Sequence, residues 1–341
     1  MFNYRTDFPE LEIKVLGIGG RGATLVGHIM GSGIQGIECI SISTDAQAAS
    51  NIGPNIALQI GTEITQGLGA GPNTDTGRQA AQRDRDQIQQ LIRGTHLLIL
   101  TAGLSDGTDT GAIPVIASIA KDLGVLTVAV VTIPLSNEDE IRIKAAEEGL
   151  AELRQHVDSL IVVPTNKRFS QQRKDATRIQ SLEQANETVL QIVRCLTEII
   201  THSGLIAVDF ADIRAVLSNT GTAAFGSGRA TGEGRATVAA TKAIEALQLK
   251  PEDLKLTKNI VCYLSAGVDF SLRECKDVVN TITSVLSPDA NIVIGSSVKH
   301  TEDAQFQVSM IAAGIDNPQT GDHAINEIRK LTTRCATVSS N

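Results

Sequence analysis

Aromatic residues are scarce in this chain of 341 residues, which has no tryptophan, two tyrosines and seven phenylalanines. A surface that stacks nucleic-acid bases needs several aromatic rings, so the composition argues against such a surface. Basic residues are also in the minority, with 30 Lys and Arg against 38 Asp and Glu, and they form no block. The net charge of −8 at pH 7 therefore argues against nucleic acid as a partner.

Long apolar runs are missing as well. No run reaches the roughly 20 residues of a membrane-spanning helix, and residues 1–10 lack the apolar core of a signal peptide. The five cysteines are scattered and form no CxxC pair. We therefore expect reduced, mostly buried thiols in a cytoplasmic protein that has no metal site and does not insert into a membrane.

Short apolar segments alternate with helical patterns through the first half of the chain. Strands are predicted at 13–18, 39–43, 55–60, 97–101, 126–132 and 160–163. Helical patterns occur at 23–30, 77–93, 112–123 and 138–155. This alternation predicts an α/β fold with a doubly wound parallel sheet. Ligands on such a sheet bind at the carboxyl ends of the strands.

The second half has a different pattern. A long helix is predicted over 178–202 and a short one over 208–217. Further strands are predicted near 223–226, 260–264, 291–294 and 305–312, with helices near 235–247, 272–285 and 324–331. These elements predict a smaller α/β domain with a mixed sheet.

The segment Thr101–Gly111, of sequence TAGLSDGTDTG, lies between a predicted strand and a predicted helix. Glycines at a helix N-terminus make a phosphate cradle, because the unpaired N–H groups and the positive dipole end attract anions. Yet Asp106 and Asp109 would repel phosphate. A carboxylate about 4 Å from a phosphate oxygen costs about 4 kcal/mol at an effective dielectric constant near 20. Such a cost would weaken phosphate binding by roughly a thousandfold.

This segment and four others, in order along the chain, resemble FtsZ, the bacterial relative of tubulin. The segment Thr101–Gly111 resembles the tubulin signature GGGTGTG. The other matching segments are 17–20 (GIGG), 44–48 (TDAQA), 67–71 (GLGAG) and 205–221, which includes the family's synergy loop.

The resemblance implies a nucleotide-binding domain (1–177), a central helix (178–203), an activation-type domain (204–315) and a tail (316–341). It implies GTP or GDP as ligand, with Mg²⁺ accompanying it, and head-to-tail filaments of the chain with itself. Asp209 and Asp212 would act on the nucleotide of the next subunit. The implied nucleotide-binding residues are Gly19, Gly20, Arg21, Thr24, Asp45, Ala70, Gly71, Gly103, Asp106, Gly107, Thr108, Asp109, Thr110, Glu138, Arg142, Asn166 and Asn186.

The sequence departs from the family pattern mainly around the phosphates. Ser105, Asp106 and Asp109 replace signature glycines, and Arg21 replaces a glycine of the first loop. Arg21 could compensate the acidic loop, and Mg²⁺ could bridge a carboxylate to phosphate. Alternatively, the two aspartates are turn or cap residues in a loop that binds nothing.

Other departures concern the base and the synergy loop. Asn186 replaces the Asp that reads guanine, and an amide cannot accept two N–H groups as that carboxylate does. Leu182 replaces a stacking Phe and Ala207 replaces Asn. This chain also has Thr24 where the family has Asn and Ile133 where the family has Arg. Asn186 also reads as an ordinary polar helix-surface residue, and Asp209 with Asp212 also reads as a helix capping box.

Three functions remain open at this point. The leading hypothesis is an FtsZ-like filament protein whose altered GTP site is weak or slow in hydrolysis. A second is a pseudo-GTPase that polymerises without nucleotide, in a nucleotide-free state, or modulates a true FtsZ. The third is a fully active cell-division GTPase with compensating changes in its site.

Overall fold

The structure is a computed structural model that describes residues 11–50, 57–133, 140–165, 178–202, 204–298 and 305–315. Glu138, Asn166 and the predicted helix at 324–331 lie outside the described residues. None of the described helices combines the length and the apolar character needed to cross a membrane.

Within the described part of the chain, ten strands form one sheet in the order β3-β2-β1-β4-β5-β6-β7-β10-β8-β9. Their bounds are β1 Ile13–Ile18, β2 Glu38–Ser43, β3 Ala57–Gln59, β4 Leu97–Gly103, β5 Leu126–Ile133, β6 Ser159–Pro164, β7 Gly221–Ala230, β8 Asn259–Ala266, β9 Asn291–Val298 and β10 Phe306–Ala313. Strands β1 to β6 are parallel, and β10 is antiparallel to both its neighbours. The predicted α/β fold with a parallel sheet and a mixed part is therefore confirmed. Its two parts join into one sheet through three residue pairs, from Ser159↔Gly221 to Ile161↔Ala223.

Twelve helices lie within the described residues. Their bounds are α1 Gly19–Gly31, α2 Ala46–Ser50, α3 Thr62–Thr65, α4 Thr74–Arg83, α5 Arg85–Ile92, α6 Gly107–Asp122, α7 Glu140–Leu153, α8 Arg178–Thr201, α9 Phe210–Leu217, α10 Arg235–Ala246, α11 Pro251–Leu256 and α12 Leu272–Thr283. The single helix predicted over 77–93 is wrong, because the chain breaks at Asp84 into α4 and α5. The Asp84 carboxylate accepts a hydrogen bond from the Gly61 N–H at 2.6 Å, which ties this break to the end of β3.

Apolar residues cover both faces of the parallel sheet. One core lies between the sheet and helices α4 to α7, and a second lies between the sheet and helices α1, α8 and α9. Every residue of β4 is buried, as expected for a strand covered on both sides. A third core packs α10 and α12 against β7, β8 and β10. The division into domains stays a prediction.

Helices α4 and α6 approach each other closely at their amino ends, through glycines. A Cβ atom on Gly77 of α4 would overlap the Gly107 carbonyl of α6, and one on Gly111 would overlap the Thr74 carbonyl. Only glycine allows backbones this near to each other. The contact therefore fixes the amino end of α6 against the amino end of α4.

We expect Gly77→Ala to destabilise the protein by about 1–3 kcal/mol, because the added methyl group overpacks the contact between α4 and α6. Gly27→Ala is the matched control, since Gly27 is an exposed glycine of α1 with no atom near a Cβ. It should stabilise the protein by about 0.5–1 kcal/mol. Urea unfolding of both variants measures the difference, and equal stabilities would contradict the packing argument.

Candidate functional site

The glycine-rich loops meet at the carboxyl ends of β1, β2 and β4. The parallel strands have the order 3-2-1-4-5-6, so the chain winds in opposite directions from β1 and β4. The crevice at such a switch point is the usual ligand site of an open α/β sheet. Helix α1 begins at Gly19, directly after β1, and α6 begins at Gly107, four residues after β4.

Hydrogen bonds connect the loops that follow β2, β3 and β4. The hydroxyl groups of Thr44 and Thr108 are 2.6 Å apart and buried. The Gly107 N–H donates to the Gly71 carbonyl at 2.8 Å, and the Ala46 N–H donates to the Gly67 carbonyl at 3.0 Å. These bonds bring together the predicted segments 44–48, 67–71 and 101–111.

Two polar side chains shape these loops by capping helices. Asp45 Oδ1 accepts from the Gln47 N–H at 2.8 Å at the start of α2. Asn73 Oδ1 accepts from the N–H groups of Asp75 and Thr76 at the start of α4. Sequence reasoning missed Asn73, although an Asn after Gly-Pro and before Thr-Asp is an N-cap signal.

Asp109 lies inside the phosphate cradle, which is the crevice lined by Gly19, Gly103 and the amino end of α6. It is the third residue of α6 and only 1% exposed. A Cβ atom on Gly19 would overlap its carboxylate, so the side chain lies directly against the first loop. Among the described residues, no donor meets the geometry of a hydrogen bond to either carboxylate oxygen, and the nearby N–H groups of Asp109 itself and of Gly103 interact with the carboxylate less strongly than burial penalises it. An unpartnered buried acid is costly, so this side chain requires an explanation.

The pKa of Asp109 is raised well above the ordinary value for Asp. Burial is the largest cause, and the nearby negative charge of Asp106 adds to it. The N–H groups of Asp109 itself and of Gly103, and the positive charge of Arg21, offset the pKa rise only in part. Desolvation favours the uncharged form of a carboxyl group, so Asp109 lies in the cradle as a neutral acid over a wider pH range than an exposed Asp.

Arg21 and Asp106 lie near this acid, and Arg142 lies beside Asp106. Arg21 lies against Gly103, where a Cβ atom would lie 2.8 Å from the Arg21 Cβ and Cγ atoms. Asp106 is the N-cap residue of α6, but its side chain makes no capping hydrogen bond. Its Oδ1 lies 3.8 Å from an Arg142 guanidinium nitrogen of α7. Arg21 and Arg142 thus place positive charge beside the acidic loop.

The remaining predicted positions have simpler surroundings. Thr24 donates its hydroxyl to the Gly20 carbonyl at 3.1 Å within α1. Thr110 is buried, and its hydroxyl has no hydrogen-bond partner among the described residues. Asn186 is 9% exposed in α8, so it is not a solvated helix-surface residue. Ala70 lies half-buried in the loop before α4. Contacts of these residues with a nucleotide stay predictions.

Asp209 and Asp212 form a capping box at the start of α9. Asp209 Oδ1 accepts from the Asp212 N–H at 2.9 Å, and the Asp209 N–H donates to Asp212 Oδ2 at 3.4 Å. The capping interpretation of this pair is therefore confirmed. Both side chains are exposed.

This acid pair lies at the amino edge of the sheet, away from the glycine-rich loops. The Phe210 ring packs edge-on against His96, which directly precedes β4, with centroids 6.1 Å apart. Arg214 donates to the Gly124 carbonyl, just before β5. The structure therefore does not bring Asp209 and Asp212 together with the residues of the phosphate cradle.

The cradle suits a phosphate chain in part. The amino end of α6 and the Arg21 side chain against Gly103 both favour an anion. The Asp109 carboxyl suits it only when protonated, because it then offers an O–H donor. The described residues include no group of three or more His, Cys, Asp or Glu that could hold a metal ion.

Comparison with known proteins agrees with this geometry. Residues 12–172 match the model of the Tubulin/FtsZ family, GTPase domain, and residues 221–316 match the FtsZ family, C-terminal domain. The cell division protein FtsZ of Coxiella burnetii is 40% identical over 325 residues, which cover 95% of this chain and 83% of that protein. The FtsZ of Azotobacter vinelandii is 42% identical over 316 residues, 92% of this chain and 80% of that protein.

Solved structures give the same result. An empty FtsZ dimer from M. jannaschii has a TM-score of 0.82 and 35% identity, with 89% of this chain and 88% of that chain covered. CetZ2 from Haloferax volcanii, as a GTPγS-bound protofilament, shares the fold at a TM-score of 0.78 and 14% identity, with 96% of this chain and 100% of that chain covered. Sequence relatives and fold both show that this chain belongs to the FtsZ family.

Proposed function

We propose that this chain is a cytoplasmic cell-division protein that binds GTP or GDP in the crevice beside β1 and β4 and assembles head to tail into filaments. The observation that carries the proposal is the separation of the phosphate cradle from the acid pair Asp209 and Asp212. Two copies stacked along the strand direction would bring the acid pair of one copy to the cradle of the next.

The separation is too large for one copy to join the two groups. His96 contacts the first residue of α9, whereas the cradle begins at Gly103, at the far end of β4. The seven residues of this strand span roughly 23 Å. When one face of a subunit binds a different face of the next subunit, the same contact can repeat along a chain of copies. The chain of copies is an open filament unless the rotation between subunits closes it into a ring.

Exposed apolar side chains on both faces support this assembly. Leu68, in the loop between α3 and α4, is 85% exposed beside the cradle. Leu205 is 56% exposed in the loop before α9, which is bonded to Ser296 of β9. Val268 and Leu272, 70% and 74% exposed, follow the end of the neighbouring strand β8. A second copy would bury these groups.

In such a junction, the two carboxylates would polarise and orient the water that attacks the terminal phosphate. Hydrolysis would be weak or slow, because Ser105, Asp106 and Asp109 place side chains where the family has glycine. We expect Asn186 to weaken the preference for guanine. Mg²⁺ enters this proposal only as a counter-ion of the phosphates.

A second candidate function follows from Asp109. Its carboxyl lies against Gly19 in the cradle, where a phosphate would otherwise bind. A chain in which this acid takes the place of phosphate could polymerise without nucleotide or join filaments of a true FtsZ. Nucleotide that copurifies with the protein in equal amount would count against this second candidate.

The assembly is tested by Leu68→Gln and Leu272→Gln. Burying a leucine at a junction is worth about 1.5–3 kcal/mol. Each variant should therefore raise the critical concentration for sedimentable polymer by about 10- to 100-fold. Both residues are exposed, so thermal stability should not change.

Leu256→Gln is the control, because Leu256 is 45% exposed at the end of α11 and belongs to neither proposed face. Sedimentation of all three variants, with and without GTP, gives the comparison. An unchanged critical concentration for Leu68→Gln and Leu272→Gln would overturn the head-to-tail arrangement.

The roles of the acid pair are tested by variants that keep the helix cap. Asn is as good an N-cap as Asp, and Gln can complete a capping box. Asp209→Asn and Asp212→Gln should therefore keep α9 stable and lower GTP turnover by about 100-fold or more. Nucleotide affinity should be unchanged, because the acids lie away from the cradle of their own chain.

Phosphate release with protein in excess over GTP measures this turnover. Asp212→Ala is the comparison variant, since it also loses the reciprocal bond of the capping box from the Asp209 N–H. If Asp212→Gln hydrolyses GTP as fast as the unaltered chain, the acid pair has no role in hydrolysis. Turnover as fast as that of an FtsZ relative assayed alongside would favour the fully active GTPase.

A further inference from the structure

We propose that Asp109 binds the nucleotide's phosphate chain as a protonated acid, so that nucleotide binding by this chain is coupled to the protonation of one side chain. The inference rests on the proposed nucleotide-binding function and assigns to Asp109 the role of a phosphate-binding residue of that site. A carboxyl group that donates its O–H to a phosphate oxygen turns a repulsive contact into an attractive one.

The geometry of the phosphate cradle carries this inference. The Asp109 side chain is 1% exposed and lies against Gly19, and no group among the described residues meets the geometry of a hydrogen bond to either oxygen. The nearby N–H groups of Asp109 itself and of Gly103 are donors, so they cannot accept from the protonated acid. Asp109 lies in the first turn of α6, the place where a phosphate chain meets a helix N-terminus. A phosphate oxygen there would supply the acceptor that the buried O–H group lacks.

The charges around Asp109 come from four elements. Asp106, just before α6, disfavours the carboxylate form of Asp109, and Arg21 of α1 favours it. Arg142 of α7 forms an ion pair with Asp106, so its positive charge partly offsets the negative charge of Asp106. Arg78 of α4, whose backbone lies close to Gly111, is paired with Glu152 of α7. Burial outweighs the favourable charges, so the pKa of Asp109 is raised before any ligand arrives.

The direction of the linkage follows from these facts. An anionic phosphate chain favours the neutral form of Asp109, so its pKa is higher in the complex than in the free protein. Below the pKa of the free site, the acid already carries its proton and adds no pH dependence. Above it, binding takes up a proton, and affinity falls by up to about tenfold for each pH unit.

The test measures GDP affinity by titration calorimetry between about pH 5.5 and pH 8.5, for the unaltered chain, Asp109→Asn and Asp109→Gly. Asn has nearly the shape of protonated Asp and cannot titrate, so its profile reports the titration of GDP alone. The unaltered chain should lose affinity more steeply with rising pH than Asp109→Asn does. Asp109→Gly should follow the Asn profile and bind more tightly than the unaltered chain at high pH.

Proton uptake provides a second measurement that needs no variant. Titration of the unaltered chain in buffers of different ionisation enthalpy should show up to one proton taken up per GDP at high pH, beyond the uptake by GDP. Repeating the titrations with and without Mg²⁺ tests the opposite chemistry. If Asp109 held a cation, Mg²⁺ would make affinity rise with pH, which would overturn the inference.

The remaining outcomes separate this inference from the function on which it rests. Equal pH profiles for the unaltered chain and Asp109→Asn, or no excess proton uptake, would overturn the inference and leave nucleotide binding in place. If Asp109→Gly binds GDP while the unaltered chain and Asp109→Asn do not, the inference is overturned, and the second candidate function, a chain that polymerises without nucleotide, is favoured. If no variant and no condition gives GDP binding, the proposed function and this inference both fail.

Discussion

The buried amino end of α6 is the constraint on which the rest of the site depends. A helix end leaves N–H groups without intrahelical partners, and these groups cannot stay unpaired in a dry interior. The Gly71 carbonyl takes the Gly107 N–H, and the Asp106 side chain caps none of the others. The glycine contacts with α4 hold this end in place. The positive end of α6 therefore faces Gly19 across the crevice. A group that binds between them must accept the hydrogen bonds that water would otherwise accept from the N–H groups of this helix end.

Much of the fold could be predicted from the sequence, because strands buried on both sides and amphipathic helices leave clear periodic patterns. The long helix predicted over 178–202 matches α8, Arg178–Thr201, within one residue. The start of α6 was predicted five residues too late, since Gly107 and Gly111 have poor helix propensity and are needed for packing. The break at Asp84 depends on a hydrogen bond to Gly61, 23 residues earlier, and no local pattern reports such a bond.

The site was predictable in its parts and not in its electrostatics. The loops could be found because glycines follow predicted strands, and their order along the chain resembled one family. The environment of Asp109 could not be found, because an Asp among Gly and Thr residues reads as a solvated turn. Only the packing of α6 against α1 makes it a buried acid beside Arg21 and Asp106. Asn73 and the contact between Thr44 and Thr108 likewise need the folded loops.

The capping box of α9 has a consequence for how this chain can diverge from its relatives. Asp209 and Asp212 satisfy each other's backbone N–H groups, so the stability of the helix alone disfavours their replacement by apolar residues. A lineage that gave up nucleotide turnover would still keep both acids while the phosphate loop was free to accumulate substitutions. Such a lineage would retain the two acids because the helix needs them, together with a phosphate loop whose sequence has changed. The presence of Asp209 and Asp212 is therefore no sign by itself of nucleotide turnover, because the helix cap alone favours them; a change in that chemistry would be visible in the phosphate loop at the other end of the sheet.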